Sequence, residues 1–334
     1  MGRRILIAGA TGQIGRLLTP AMVAAGDDVY GLARSDTSAA AVREMGATPV
    51  RGDALDRDQV MAAVAEARPE IVVHQLTAIP KDISNPRKLG ALFIPTNRLR
   101  REGTRNLVDA AEQHGVKRVV AQSIAFAQRA EGPDVLDESA PLDTDAGGGR
   151  GEIVRAVAAL EEAVLGGSGS EGVVLRYGWL YGPGTPYAPG GSLGDLVLKR
   201  RLPVIGGGGG RQPFIHLEDA VSATLAALDR GSGVYNVVDD DSAPARDWIP
   251  GLADALGAPP PRKVPAWIAR AVAALEEAVL GGSGFEGVVL RYGSFYGPGT
   301  AYAPDGALGS LVMKRRMPIV GGGGGRQPFI HMDD

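Results

Sequence analysis

A short apolar segment, a glycine-rich turn and an apolar-periodic segment follow one another at the start of the chain. Residues 4–8 read Arg-Ile-Leu-Ile-Ala, residues 9–15 read Gly-Ala-Thr-Gly-Gln-Ile-Gly, and residues 16–25 carry apolar side chains at helical spacing. In a strand–turn–helix unit the three glycines permit a tight turn, a close approach of backbone to pyrophosphate, and packing of helix on strand. The free N–H groups at the helix start then favour phosphate. This unit predicts a dinucleotide site that includes Gly9, Thr11, Gly12, Gln13, Ile14 and Gly15.

The alternation of strand-like and helix-like segments continues after this unit. Apolar runs predict strands over 28–33, 47–51, 70–75, 116–121 and 173–177, and the segment 104–112 predicts a helix. This order is typical of an α/β fold with a doubly wound parallel sheet of the Rossmann type. Ligands of such sheets bind beyond the carboxyl ends of the strands. We therefore expect one crevice lined by Gly9–Gly15, Arg34, Asp53, Gln75–Ala78 and Ser123.

The residues after the second predicted strand bear on the choice of cofactor. An acid at that place would bind the ribose 2′-hydroxyl of NAD. Here Ala33, Arg34 and Ser35 come first, and Asp36 follows only afterwards. A guanidinium and a hydroxyl suit a 2′-phosphate. We predict NADP(H) in preference to NAD(H), the alternative being that Arg34 is simply a solvated surface residue.

Several further motifs, taken together, resemble one family. They are the glycine turn 9–15, Gly-Asp-Ala-Leu-Asp at 52–56, Glu-Gly-Thr-Arg-Asn-Leu at 102–107, Leu-Arg-Tyr-Gly-Trp-Leu-Tyr-Gly-Pro-Gly at 175–184, Phe-Ile-His-Leu-Glu-Asp at 214–219 and Val-Tyr-Asn-Val-Val at 234–238. From about residue 4 to about residue 270 the chain resembles the extended short-chain dehydrogenase/reductases, which include the NAD-dependent epimerase/dehydratases. The resemblance implies nicotinamide chemistry in a Rossmann domain with a small C-terminal substrate domain.

The resemblance also implies roles for individual residues. Asp53 and Ala54 would contact adenine, and Leu76, Thr77 and Ala78 would pass the ribose and phosphates. Tyr177, Gly178 and Trp179 would lie near the nicotinamide. Ser123 would hold the place of the family's catalytic serine or threonine, at the end of the fifth strand.

The chain departs from the family at its catalytic helix. The family uses a tyrosine and a lysine spaced Tyr-x-x-x-Lys, whereas no tyrosine of this chain has a lysine four residues later. If Glu162 aligns with the family's helix glutamate, the two positions hold Val154 and Ala158. A shift by one residue places Ile153 and Val157 there instead. A lost proton donor costs roughly 10²–10⁴ in rate without forbidding hydride transfer. Ser123, a bound water, Gln122, Tyr177 and Tyr181 remain as polar candidates.

The substrate side carries weaker signals. A proline- and glycine-rich loop over 182–191 is expected to cover the crevice, and Lys199–Arg201 precede a turn with five glycines at 206–210. Gln212 holds the place where the nucleotide-sugar enzymes carry an arginine, which disfavours such a substrate. We expect His216 to be structural and Asp219 to cap a helix over 220–229.

The C-terminal end repeats an internal piece of the chain. Residues 270–334 align without a gap with residues 155–219, and 52 of 65 positions are identical. Only one of the two copies has a sheet to join. The second therefore packs on the molecule, exchanges into another subunit of a homodimer, or is a poorly ordered product of recombination. Volume-conserving differences such as Leu198 to Met313 favour a folded copy. The predicted domains are 1–178 with 206–238 returning to it, 179–205 with 239–269 as a small lid domain, and 270–334 as an extra segment.

Composition excludes several classes of function. The chain has no cysteine and only four scattered histidines, so we predict no metal site. The net charge of −3 predicts no nucleic-acid partner, and no apolar run predicts a membrane segment or signal peptide. We therefore predict a cytoplasmic NADP(H)-dependent oxidoreductase of a small carbonyl or hydroxyl compound. The alternatives are a cofactor-binding sensor or scaffold without turnover, and a nucleotide-sugar epimerase or dehydratase.

Overall fold

A parallel seven-stranded sheet forms the centre of the protein. In the computed structural model, which describes residues 2–83, 89–131 and 135–268, its strand order is β10-β6-β5-β4-β1-β2-β3. All six neighbouring pairs run parallel. The strands are β1 (Arg4–Ala8), β2 (Asp28–Ala33), β3 (Thr48–Arg51), β4 (Ile71–His74), β5 (Arg118–Ile124), β6 (Glu171–Tyr177) and β10 (Gly233–Val237).

Helices follow most of these strands and cover the sheet. They are α1 (Gly15–Ala24), α2 (Asp36–Glu44), α3 (Arg57–Ala67), α4 (Leu89–Arg98), α5 (Thr104–Gln113), α6 (Gly148–Leu165) and α8 (Leu217–Ala227). A π-helical turn, Leu99–Gly103, joins α4 to α5. The order of strands reverses between β1 and β4, and this switch point is where α/β sheets open a crevice for ligands. The predicted doubly wound fold is confirmed.

Alternate residues of each central strand face two different apolar cores. Ile5 and Ile7 of β1 lie in one cluster with helices α1 and α8, while Leu6 and Ala8 lie in the other with α3 and α5. Burial of strands on both faces is typical of parallel sheets covered by helices. The same alternation decides which way each side chain near the carboxyl ends points.

Smaller elements lie beyond the carboxyl end of β6. Strand β7 (Trp179–Tyr181) pairs with β9 (Phe214–His216), and β8 (Val204–Ile205) pairs with β11 (Lys263–Val264). Helices α7 (Ser192–Leu198) and α9 (Ala245–Ala255) complete this region. The predicted division into domains stays a prediction, as does the folding or exchange of the second copy, because residues 270–334 lie outside the described residues.

One local prediction was wrong. Helix α8 begins at Leu217, three residues before the predicted start, and His216 rather than Asp219 caps it. The Nδ1 atom of His216 accepts from the backbone N–H of Glu218 at 3.4 Å, so Asp219 falls inside the first turn. An acid there still stabilises the helix through its dipole.

Candidate active site

The glycine turn after β1 has the geometry of a phosphate site. Gly9 has a φ of +101°, and a Cβ atom there would lie 2.6 Å from the backbone oxygen of Gln75. A Cβ atom on Gly15 would lie 2.2 Å from the Gly9 oxygen. The N-cap of α1, Ile14, supplies no side-chain hydrogen bond to the first turn. An uncapped helix start beneath a turn that only glycine fits suits the pyrophosphate of a dinucleotide.

The same turn contacts the loop that was predicted to cover the crevice. The Gln13 side chain donates from Nε2 to the backbone oxygen of Gly184 at 3.0 Å. Arg16 donates to the backbone oxygen of Thr11 at 2.9 Å, which holds the exposed side of the turn. The covering loop therefore rests on the phosphate turn in this structure.

The side of the crevice where adenosine is predicted to bind lies beyond β2 and β3. Arg34 is exposed and makes no hydrogen bond or ion pair with any described residue. Ser35 caps α2 and exchanges hydrogen bonds with Ser38. Arg51 pairs with the exposed Asp36 at 2.7 Å. Two guanidinium groups thus lie at adjacent strand ends, and that of Arg34 has no partner among residues 2–83, 89–131 and 135–268.

The next strand ends are held by a network of short contacts. The side chain of Asp53 accepts from the backbone N–H of Leu55 at 3.0 Å, and the buried Ala54 offers its oxygen to Asn106 at 2.9 Å. Beyond β4, the Ala78 N–H donates to Thr96 Oγ1 at 3.0 Å. Thr77 is exposed and Leu76 half-buried, so this segment presents backbone and a hydroxyl to the crevice.

His74, the last residue of β4, is buried and neutral. Its Nδ1 accepts from the Leu76 N–H at 3.2 Å, so Nε2 carries the proton and donates to Thr104 Oγ1 at 2.8 Å. Burial, together with the nearby positive charge of Arg100, lowers the pKa of His74 to about 4. Both ring nitrogens of His74 have hydrogen-bond partners, so this residue has a structural role and holds the loop that follows β4.

Ser123 is engaged with two charged residues. Its hydroxyl donates to Glu161 Oε1 at 2.7 Å, and Arg176 donates from Nε and Nη2 to the two oxygens of Glu161 at 2.9 and 2.7 Å. The side chains of Glu161 and Arg176 are only 7% and 6% exposed. A catalytic role for Ser123 stays a prediction. In this structure its hydroxyl supports a buried ion pair between α6 and β6.

An apolar cluster occupies the part of α6 where the resemblance would place a tyrosine and a lysine. Glu161, not Glu162, is the buried acid of this helix; if Glu161 corresponds to the family's helix glutamate, the two positions hold Ile153 and Val157. The cluster consists of buried Ile124, Ala127, Val154 and Val157, with half-buried Phe126, Leu142 and Ile153 packed against it. In either register the two positions hold aliphatic side chains. The cluster, called the hydrocarbon wall below, lies beside β5 and contains no titratable group.

An aromatic face adjoins this wall. The rings of Phe126 and Trp179 are stacked, with centroids 4.2 Å apart and planes 9° apart. The ring of Tyr177 lies in the core on the other face of the sheet, where its hydroxyl meets Thr224 Oγ1 at 2.6 Å and Gln75 Nε2 at 3.4 Å. Burial raises the pKa of Tyr177 to about 12, which makes it a poor proton donor. Its backbone and Gly178 still border the predicted nicotinamide position.

Other polar candidates have structural partners. The rings of Tyr181 and His216 meet edge to face at 5.2 Å, and a Cβ atom on Gly182 would lie 2.8 Å from the His216 ring. Gln122 is half-buried on the opposite face of β5 from Ser123. In the described ranges no three metal-ligating side chains come together, and no helix has the length and hydropathy that would cross a bilayer.

Comparison with known proteins agrees with this geometry. The profile of the NAD dependent epimerase/dehydratase family matches residues 5–237. The chain belongs to this family. The resemblance predicted from the motifs is therefore confirmed, and it supports an oxidoreductase or epimerase-like activity with a nicotinamide cofactor.

Three individual proteins illustrate the range of this family. A Streptomyces 3-diazoavenalumate denitrifying reductase is 49% identical over 268 residues, which cover 80% of this chain and 86% of the relative. A 4-hydroxy-2-methyl-3-oxo-4-farnesyl-3,4-dihydroquinoline-1-oxide ketoreductase of Stigmatella aurantiaca is 28% identical, with 83% and 80% covered. The UDP-glucose 4-epimerase of Thermus thermophilus, solved with NAD, superimposes with a TM-score of 0.61 at 26% identity, with 78% and 86% covered.

Two features of the site were missed by sequence reasoning. The pairing of Glu161 with Arg176 had a signal, because an acid on the apolar face of a helix requires a buried partner. The burial of Arg100 had none, because the π-helical turn shifts the helical periodicity that would place this residue.

Proposed function

We propose that this protein is an NADP(H)-dependent reductase whose substrate accepts a hydride without receiving a proton from a protein acid. The observation that carries the proposal is the hydrocarbon wall of Ile124, Ala127, Val154 and Val157. By the resemblance, a family member with the usual chemistry would hold a phenol and an ammonium on this part of α6. A titratable donor in that wall would have to be buried among aliphatic groups, where its charged form is strongly disfavoured.

The wall restricts which electrophiles are reduced efficiently. Reduction of a carbonyl builds an alkoxide that needs a proton, and losing the donor costs roughly 10²–10⁴ in rate. An electrophile with its own leaving group avoids this step. At a diazonium carbon, a C–H bond forms with the electron pair of the hydride while the C–N bond breaks and dinitrogen departs with the bonding pair. The carbon is reduced, the nicotinamide that supplies the hydride is oxidised, and no proton is consumed.

The substrate class proposed here is therefore an aromatic compound with a diazo group, in its diazonium form. The name of the Streptomyces relative, a denitrifying reductase of a diazo compound, supports this choice. The stacked rings of Phe126 and Trp179 offer a flat surface for an aromatic substrate next to the wall. An apolar, water-poor site also protects a reactive diazonium carbon from attack by water.

The cofactor preference proposed is for NADP(H). Arg34 is exposed, unpaired within the described chain and placed at the end of β2, where a 2′-phosphate would lie. Arg34→Ala is expected to weaken NADPH binding about 10- to 100-fold, as for a lost charge-assisted hydrogen bond, and to leave NADH binding unchanged. Arg43→Ala, which removes an exposed arginine of α2, serves as the control. Equal effects on both cofactors would remove the basis for this preference.

The test of the reaction uses NADPH deuterated at the hydride position and a hydroxybenzenediazonium salt. We expect protein-dependent NADPH consumption, deuterium at the carbon that lost nitrogen, and one dinitrogen per NADPH. A reaction without protein and one with a Gly15→Ala variant correct for direct chemical reduction. NADPH oxidation without dinitrogen release, or no rate above these controls, would refute the diazo proposal.

A carbonyl substrate is the second candidate, favoured by the ketoreductase relative. In that case Ser123 or a bound water would supply the proton, and Ser123→Ala would lower the rate on aldehydes or ketones by at least about 10². A panel of these compounds is assayed beside the diazonium salt. Tight NADPH binding with no turnover on either class would instead favour a cofactor-binding sensor.

A further inference from the structure

Three arginines at the junction of α4 and the π-helical turn lie in contrasting environments. Arg98 pairs with Glu102 at 2.9 Å and Arg101 with Glu152 at 3.1 Å, and both arginines are about half exposed. Arg100 is 3% exposed and has no carboxylate or hydrogen-bond partner among the described residues. The two half-exposed arginines thus have carboxylate partners, whereas the buried Arg100 has none among the described residues.

An unpaired guanidinium in a protein interior is strongly unfavourable. The cost of removing it from water is offset only when an opposite charge or several acceptors replace the water. The side chain remains cationic at neutral pH, since burial lowers the pKa of Arg100 only to about 10. An oxyanion from outside the chain is the partner that would complete this environment.

The location of Arg100 indicates where that oxyanion lies. The turn and the residues that flank it lie against the ends of two strands. At β4, Thr96 accepts from the N–H of Ala78 and Thr104 is bonded to His74. Beyond β3, Gly103 lies beside Ala54, where a Cβ atom would be 3.6 Å from the alanine methyl group. The charge of Arg100 is close enough to His74 to lower its pKa. Arg100 thus belongs to a turn that lies at the carboxyl ends of β3 and β4, next to the switch point of the sheet.

One further buried polar atom on the same helical segment lacks a partner among the described residues. It is Oδ1 of Asn97, one helical turn before Arg100. A donor-bearing group beside an oxyanion would satisfy it. Few buried polar atoms remain unpaired in folded proteins, so an unpaired amide oxygen next to an unpaired guanidinium favours a ligand there.

We propose that Arg100 is a ligand-binding residue that holds an oxyanion in the crevice, supplied by a phosphate of the cofactor or by an acidic group of the substrate. The inference extends the proposed reductase function without depending on the identity of the reducible group. It predicts that replacing Arg100 weakens ligand binding without lowering the stability of the fold. If Arg100 had only a structural role, its replacement would lower the stability and leave ligand binding intact.

The experiment compares Arg100→Met with Arg101→Met, a matched loss of a guanidinium from the same turn. Titration of NADPH, followed by its fluorescence, tests the cofactor phosphate. Titration of cinnamate into the NADP⁺-saturated protein tests a substrate carboxylate. We expect Arg100→Met to weaken one of the two about 10- to 100-fold, with Arg101→Met within about twofold of the original protein. The affected titration identifies the source of the oxyanion.

Thermal denaturation keeps the test independent of catalysis. Without ligand, Arg100→Met is expected to melt at the same temperature as the original protein or higher, since it removes a buried charge that has no partner in the described chain. Arg100→Lys, which keeps the charge, should recover part of the lost affinity. Unchanged affinity for both NADPH and cinnamate, or a strongly lowered melting temperature with intact affinity, would overturn the proposal. Failure of the diazonium assay would leave both binding measurements interpretable.

Discussion

The buried pair of Glu161 and Arg176 gives a sharp prediction about stability. Replacing Glu161 with Gln leaves the Arg176 guanidinium buried at 6% exposure with one neutral acceptor in place of a carboxylate. Loss of one partner of a buried pair costs about 3–5 kcal/mol. At about 2–4 °C per kcal/mol for a chain of this size, the melting temperature should fall by about 10 °C. The neighbouring Glu162, which is exposed on the same helix, provides the matched Glu162→Gln control with a change near zero.

A double-mutant cycle separates the pair from its surroundings. Glu161→Leu combined with Arg176→Met removes both charges, and such apolar replacements of buried pairs are often neutral or stabilising. We therefore expect the double variant to be more stable than either single one, with a coupling energy of about 3 kcal/mol measured by urea denaturation. Additive losses in the double variant, or a single-variant loss no larger than that of Glu162→Gln, would refute the reasoning.

Three further predictions concern the pH response, the glycine turn and the aromatic face. Folding lowers the pKa of His74 from 6.5 to about 4, so its contribution to stability is complete above pH 6.5. About 2 kcal/mol is lost between pH 7 and pH 5, and His74→Gln should flatten this slope in urea titrations. Gly15→Ala places a Cβ atom 2.2 Å from a backbone oxygen and should weaken the binding of NADPH, measured by its fluorescence, at least about tenfold, or ~1.4 kcal/mol. An affinity within twofold of the original protein would show that the turn is not the phosphate site. Trp179→Ser should raise KM for an aromatic diazonium salt more than it lowers kcat, and replacement of the 57% exposed Trp267 serves as the control. A loss of kcat with unchanged KM would argue against Trp179 as a surface on which the aromatic substrate stacks.

The sheet was predictable because its strands are buried on both faces and follow glycine or polar breaks. The limits of β1 and β2 agree with the apolar runs to the residue. Strand β5 runs through Ile124, three residues beyond the apolar run and one beyond Ser123, where its end was predicted. The apolar pattern stops at Ala121, and Gln122 and Ser123 continue the strand only because β6 supplies hydrogen-bonding partners.

The direction of Ser123 could also have been read from the strand period. Val119 and Ala121 lie in the core that contains α5 and part of α6, and alternation puts Ser123 on that same face. It therefore meets Glu161 of α6. The sequence could not decide between Glu161 and Glu162, because helix α6 starts at Gly148, earlier than the apolar pattern indicates, and a shift of one residue turns a side chain by about 100°.

Two buried arginines among the described residues, Arg176 and Arg100, differ in whether the chain itself balances their charge. Arg176 is balanced within the chain, since Glu161 takes two of its donors and the Glu138 backbone oxygen a third. Arg100 has no such acceptors in the described chain. Both side chains carry the same kind of desolvation penalty, yet folding offsets only the first. Binding of an oxyanion would offset the second, which is the electrostatic basis for proposing Arg100 as a ligand-binding residue.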